Sequence, residues 1–135
     1  MRRKFILDGK MFHDLEGFYC EIDRLFTKNL SWKTGHNLDA VNDILRGGFG
    51  VHDYAEPITI SWINFNKSRR DFGYETTEEY YRHILLACHP SNRKAITKQL
   101  DDAMRRKGET ILDIIVETIA NNDPGHKDTE LEIIE

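Results

Sequence analysis

Apolar residues near the N-terminus follow two different patterns, which predict a strand and then an amphipathic helix. Residues 5–7 form a short apolar run, and Asp8 with Gly9 after it gives a strong turn signal. Further on, apolar residues recur at spacings of three and four, which is the period of one helix face. These residues are Leu15, Phe18, Tyr19, Ile22, Leu25 and Phe26. We therefore predict a first strand over residues 4–9 and a first helix over residues 14–26.

The next stretch predicts a second helix and a second strand. Asn37 is a favourable N-cap, and apolar residues follow it at helical spacing until about Leu45. The glycines of residues 47–50 must end this helix. Residues 57–62 are rich in β-branched residues and have proline only at the first position, where a strand tolerates it. Residues 64–72 predict one or two further helical turns.

The rest of the chain predicts more helices and a last strand. Thr76 and Glu79 have the spacing of a capping box and predict the start of one helix. Apolar stripes predict further helices over residues 92–106 and 110–120, and alternation predicts a strand over residues 129–135. Strands separated by helices usually lie parallel in one sheet, so the sequence predicts an α/β fold.

Composition and charge narrow the possible functions. A chain of 135 residues suits a single domain with its own core. The formal net charge of −4 argues against a general nucleic-acid-binding protein, which is usually basic. No apolar run approaches the roughly 18 residues of a membrane span. Residues 5–7 are also too short for the apolar core of a signal peptide, so we expect an intact cytoplasmic protein.

Cysteine and histidine positions do not suggest a metal centre. Cys20 and Cys88 are the only cysteines, and we expect reduced, buried thiols rather than a disulfide. His83, Cys88 and His89 are close in sequence, but their spacing does not place them on one helix face. The sequence therefore predicts neither a metal site nor a cofactor.

The second predicted helix carries the most informative chemistry. Asp39, Asn42, Asp43 and Arg46 fall on its outer face, opposite the apolar residues. Two like charges one turn apart cost a helix about 0.2–0.5 kcal/mol. Asp39 could simply favour the helix dipole while Asp43 is solvated. Alternatively, the pair binds a basic partner.

The sequence around this acidic pair resembles that of the barstar family of ribonuclease inhibitors. Residues 35–45 read Gly-x-Asn-Leu-Asp-Ala-x-x-Asp-x-Leu, and the strand that follows ends in Trp62. The matching first strand, second strand, last helix and final strand of the family are residues 4–9, 57–62, 109–117 and 130–135.

The resemblance implies a three-stranded parallel sheet covered by helices, and a protein whose second helix and preceding loop enter a ribonuclease active site. Asp39 and Asp43 would occupy the positions of RNA phosphates, and Glu117 on the last helix would add a third acidic contact. The other partner contacts that the resemblance implies are Lys33, Thr34, Asn42, Arg46, Gly47 and Gly48.

Several of these positions depart from the family pattern. Lys33 and Thr34 stand where the family has aromatic residues, and Asn42 and Gly48 stand where it has tryptophans. Trp32 could supply a displaced aromatic contact. The expected partner is therefore a ribonuclease or nuclease toxin with a basic active site, but not barnase itself.

Residues 73–107 have no counterpart in the resemblance and are interpreted as a helical insertion in a single barstar-like domain over residues 1–135. The insertion either decorates the surface or adds contacts to one toxin or oligomer partner. The favoured function is a non-enzymatic immunity or antitoxin protein that binds neither membranes nor nucleic acid directly. The alternatives are a general interaction or RNA-binding module and a hydrolase using a carboxylate pair.

Overall fold

The computed structural model describes residues 2–27, 36–48, 51–122 and 127–135. The strands in these residues are β1 (Arg3–Asp8), β2 (Ile58–Ile63) and β3 (Thr129–Ile133). The helices are α1 (Leu15–Phe26), α2 (Leu38–Arg46), α3 (Phe65–Asp71), α4 (Tyr74–Leu85), α5 (Arg93–Met104) and α6 (Ile111–Ala120). Short 3-10 turns lie at Gly9–Met11 and Pro90–Asn92.

The strands form one parallel sheet in the order β1-β2-β3. In the centre of the sheet, Trp62 of β2 is opposite Leu7 of β1 and Ile133 of β3. Helices connect the strands, as parallel pairing requires. The predicted α/β fold with a three-stranded parallel sheet is therefore confirmed.

One core forms where α1, α2 and α6 pack around the sheet. Trp62 is completely buried, and its Nε1 donates a hydrogen bond of 3.1 Å to Ser68 Oγ. Helix α2 contacts both α1 and α6. Its buried side chains are Val41, Ile44 and Leu45. Because this face of α2 is fixed in the core, its opposite face points outward in a defined orientation.

Side-chain caps define where the three core helices, α1, α2 and α6, begin. Asp14 accepts from the Gly17 amide and Asn37 from the Ala40 amide, each at 2.8 Å. Thr110 and Asp113 form a reciprocal capping box at α6. The predicted start of α2 after Asn37 is therefore confirmed.

The predicted capping box at Thr76 is wrong. Helix α4 already begins at Tyr74, directly after Gly73. Thr76 lies inside the first turn, and its hydroxyl donates a hydrogen bond of 2.6 Å back to the Asp71 carbonyl. The hydroxyl thus joins α4 to the last carbonyl of α3 and does not cap the start of α4.

The segment of residues 73–107 contains α4 and α5, which pack against each other, and α4 also contacts α6. Two statements stay predictions: that this segment is an insertion, and that residues 1–135 form a single domain.

Both cysteines are free, but Cys20 is exposed and Cys88 is partly exposed, so the expectation of buried thiols is wrong. Within the described ranges, no helix has the length and apolar character needed to span a bilayer.

Candidate functional site

The outer face of α2 presents two carboxylates one turn apart. Asp39 and Asp43 are exposed, whereas Val41 and Ile44 between and beside them are buried. Arg46 Nη1 lies 4.0 Å from Asp43 Oδ1, with the Asp43 side chain 63% exposed. The helix backbone therefore holds both acidic groups at the surface, as the sequence pattern predicts.

A groove between α2 and α6 brings a third carboxylate close to this pair. The groove has a volume of about 320 Å³, and Asp39 and Asn42 from α2 face Glu117 from α6 across it. Its other lining residues are Leu38, Ile114, Thr118 and Asn121. Two carboxylates that share one concavity attract a single cationic group more strongly than either carboxylate alone.

Helix α4 adds an aromatic side chain beside the acidic face. Burial raises the pKa of the Tyr80 hydroxyl, and the negative charge of Asp39 raises it further. Tyr80 is partly buried and belongs to the segment of residues 73–107. This segment therefore borders the acidic face, although its sequence gave no indication of that position.

The C-terminal end of α2 carries a second concave region, with a volume of about 500 Å³. It is lined by Asp43, Arg46, Gly47, Gly48 and Tyr54. The Tyr54 side chain is 57% exposed. Gly48 has a φ of +94°, and a Cβ atom there would lie 3.2 Å from the Tyr54 Cβ. A side chain at position 48 would thus crowd Tyr54, which supplies an aromatic group at this place instead.

Glycine is required at the turn that closes α2. Gly47 has a φ of +85°, and a Cβ atom there would lie 2.1 Å from the Asp53 carbonyl oxygen. The backbone of residues 51–55 folds back over the end of α2. A hydrogen bond of 2.9 Å from the Gly48 amide to the His52 carbonyl holds it there. In addition, His52 Nε2 lies 3.0 Å from the Leu45 carbonyl. These contacts fix the loop that presents Tyr54.

An ion pair with β1 holds the far side of the same loop. Arg3 Nε lies 2.8 Å from Glu56 Oε2, and the other Glu56 oxygen accepts from the Asp53 amide at 2.9 Å. These hydrogen bonds, with that from Arg3 as the largest cause, lower the pKa of Glu56 to about 2. The loop of residues 51–56 is therefore tied to α2 at one end and to β1 at the other.

The structure thus groups the candidate residues into two adjoining regions of α2. Asp39, Asn42 and Glu117 share the groove with α6, and Asp43, Arg46 and Gly47 line the region beside Tyr54. Lys33 and Thr34, as well as Trp32, lie outside the described residues. Contact of these residues with a partner stays a prediction. Tyr54 and Tyr80 cannot be recognised from the sequence as site residues, because neither belongs to a motif and both reach α2 only through tertiary packing.

The fold and this surface define a class of small α/β proteins in which an acidic helix packs against two neighbouring helices, α1 and α6. A model of the family described as Barstar (barnase inhibitor) matches residues 2–110, and the chain belongs to this family. Members of the family are inhibitors rather than enzymes. The match ends before α6, so Glu117 lies beyond it. A comparison with curated proteins gave no match.

Proposed function

We propose that this protein is an immunity or antitoxin protein that binds a toxic ribonuclease and blocks its active site with α2. The observation that carries the proposal is the groove that Asp39 and Glu117 both line, with a third carboxylate, Asp43, one turn further along α2. Membership of the barstar family supports the same function.

The physical basis is complementarity between fixed carboxylates and a cationic pocket. A ribonuclease active site is concave and basic, because it must bind phosphodiesters. Asp39 and Glu117 would together receive one Arg, Lys or His side chain of the enzyme, and Asp43 would receive the next. Charge-assisted hydrogen bonds of this kind are strong. Unlike a phosphodiester, the carboxylates contain no bond that the enzyme can cleave. Because the buried face of α2 fixes its position, little conformational freedom is lost on binding.

Two tyrosines would provide the apolar rim of the interface. Tyr54 lies beside Asp43 and Gly48, and Tyr80 lies near Asp39. Tyrosine is favoured in interfaces, because its ring buries a large area while its hydroxyl can still bond to the partner. This arrangement differs from the aromatic pattern that the family resemblance implies. It therefore favours a target ribonuclease other than barnase.

The proposal is tested with the ribonuclease that the tagged full-length protein captures from its source cells. Asp39→Ala should weaken the complex by about 2–5 kcal/mol, the general cost of removing one partner of a buried interfacial charge pair, for which barnase with barstar is the standard example. Binding is measured by calorimetry, and RNA cleavage is measured in parallel. The control is Asp101→Ala on α5, an exposed carboxylate paired with Arg105 at 3.4 Å.

The strongest test reverses both charges of α2. Asp39→Lys combined with Asp43→Lys should abolish inhibition, since the helix would then repel a basic active site. Unchanged inhibition by this double variant would contradict the acidic-helix proposal. The purified wild-type protein also tests the alternatives. RNA cleavage would favour a hydrolase, and salt-dependent binding to unrelated RNA would favour an RNA-binding module.

A further inference from the structure

Three potential metal ligands from two elements meet on the side of α1 that faces the start of α2. Glu16 and Cys20 lie one turn apart on α1, and His36 directly precedes the N-cap of α2. One ligand atom from each side chain, a carboxylate oxygen, a thiol sulfur and an imidazole nitrogen, lies within 4.8 Å of the others. We propose that Glu16, Cys20 and His36 form a Zn²⁺ site that joins the start of α2 to α1.

A buried carboxylate orients the imidazole in this cluster. His36 Nε2 lies 3.0 Å from Asp23 Oδ2, and the Asp23 side chain is only 6% exposed. The other ring nitrogen, Nδ1, contacts the Glu16 carboxylate. Histidines that bind metals usually place their second nitrogen on a carboxylate in this way, which fixes the ring and increases its basicity. Asp23 would therefore act as a positioning residue and would not bind the metal itself.

The donor set and its geometry suit Zn²⁺. Zinc in proteins binds cysteine sulfur, histidine nitrogen and carboxylate oxygen in tetrahedral sites, with bonds of about 2.0–2.3 Å. Neighbouring ligand atoms are then about 3.5 Å apart, so the widest separations in the cluster must shrink by about 1 Å, whereas the Glu16 carboxylate must move away from His36 Nδ1, which it already contacts. Glu16 can supply most of this movement, because its side chain is 68% exposed, while His36 is more enclosed at 28%. Three protein ligands leave the fourth position to water.

Sequence spacing does not reveal this site. The predicted absence of a metal centre rested on His83, Cys88 and His89, which are close together in the chain. In contrast, Cys20 and His36 are brought together only by the packing of α1 against α2. A bound metal ion would stabilise this contact, and therefore the position of the helix that carries Asp39.

The site is tested on the full-length, reduced and metal-free protein, without any ribonuclease. Zn²⁺ should bind in one equivalent by calorimetry, and Co²⁺ should give the near-ultraviolet band of a cobalt–thiolate bond. Cys20→Ser and His36→Gln should each weaken Zn²⁺ binding by about tenfold or more, and the former should remove the cobalt band. Asp23→Asn should keep that band while weakening binding by about 10–100-fold.

Two matched controls address the other thiol and a neighbouring imidazole. Cys88→Ser and His83→Gln should bind Zn²⁺ within about twofold of wild type, although His83 lines the same groove as Glu16 and His36. At the same Zn²⁺ concentration, the metal should also raise the thermal midpoint of the wild-type protein and of both controls more than that of Cys20→Ser. Wild-type protein that binds no Zn²⁺, or a loss of binding in the controls equal to that in His36→Gln, would overturn the proposal.

Discussion

Thr77 shows how much one buried hydroxyl can organise at the scale of single residues. The residue is completely buried, and its Oγ1 donates to the Gly73 carbonyl at 2.8 Å. The same oxygen accepts from the Ile111 amide at 2.8 Å. That amide belongs to the first turn of α6 and has no partner within its helix. Thr77 therefore fixes the start of the helix that presents Glu117.

Thr77→Val should lower the free energy of unfolding by about 1–3 kcal/mol, because it leaves a buried amide without an acceptor. Urea denaturation measures the loss. Thr97→Val, at an exposed position of α5, is the matched control and should change stability by less than about 0.5 kcal/mol. Equal stabilities of the two variants would show that the hydroxyl does not support α6.

At the scale of elements, the loop of residues 51–56 depends on a charged contact with β1, so it should respond to pH. Hydrogen bonds from Arg3, the largest cause, and from the Asp53 amide lower the pKa of Glu56 from 4.5 to about 2 in the folded protein. A lowered carboxyl pKa stabilises the fold at pH values above the unfolded pKa, and this contribution disappears as the pH falls through the folded pKa. The contribution of Glu56 should therefore be lost between about pH 4.5 and pH 2.

Glu56→Gln should remove this part of the acid dependence. The difference in thermal midpoint between wild type and variant should be largest near pH 6 and should shrink as the pH falls towards 2. Asp101→Asn is the control, because its ion pair with Arg105 joins neighbouring turns at the end of α5 and involves no residue of the loop. A difference for Glu56→Gln that does not depend on pH would contradict the assignment.

Local signals explain which elements the sequence predicts well. Asn37 caps α2 by accepting a hydrogen bond from the Ala40 amide, only three residues further along the chain, so its role can be recognised from sequence alone. The exposed positions of Asp39 and Asp43 follow from the helical period of the buried residues between them. The spacing of Thr76 and Glu79 imitates a capping box, but the Thr76 hydroxyl donates to the Asp71 carbonyl at the end of α3, which is a tertiary contact that the spacing cannot show. The groove with Glu117 and the position of Tyr54 depend on packing between distant segments, which periodicity cannot show.

At the scale of the whole molecule, charge should control how fast the proposed complex forms. The chain has a net charge of −4, and α2 concentrates exposed carboxylates on one surface. Such a surface attracts a basic ribonuclease over a distance of about one Debye length, which is about 10 Å at 0.1 M salt and 3 Å at 1 M salt. Association should therefore be faster at low ionic strength.

Raising the salt concentration from about 0.1 M to 1 M should slow association by about tenfold or more and change dissociation much less. Stopped-flow fluorescence measures both rates. Asp43→Asn should reduce the salt dependence of association, whereas Asp101→Asn on α5 should leave it nearly unchanged. An association rate that is the same at both salt concentrations would exclude electrostatic steering by this surface.

The central position of β2 in the sheet has a consequence for the timing of synthesis. Its neighbours β1 and β3 come from opposite ends of the described chain, and α6 is made just before β3. A ribosome releases the N-terminal segments first, so α2 emerges long before the helix that completes its groove. Asp39 and Glu117 can therefore meet only once α6 has been translated. The groove proposed to bind a ribonuclease would therefore form only after α6 has been made, well after α2.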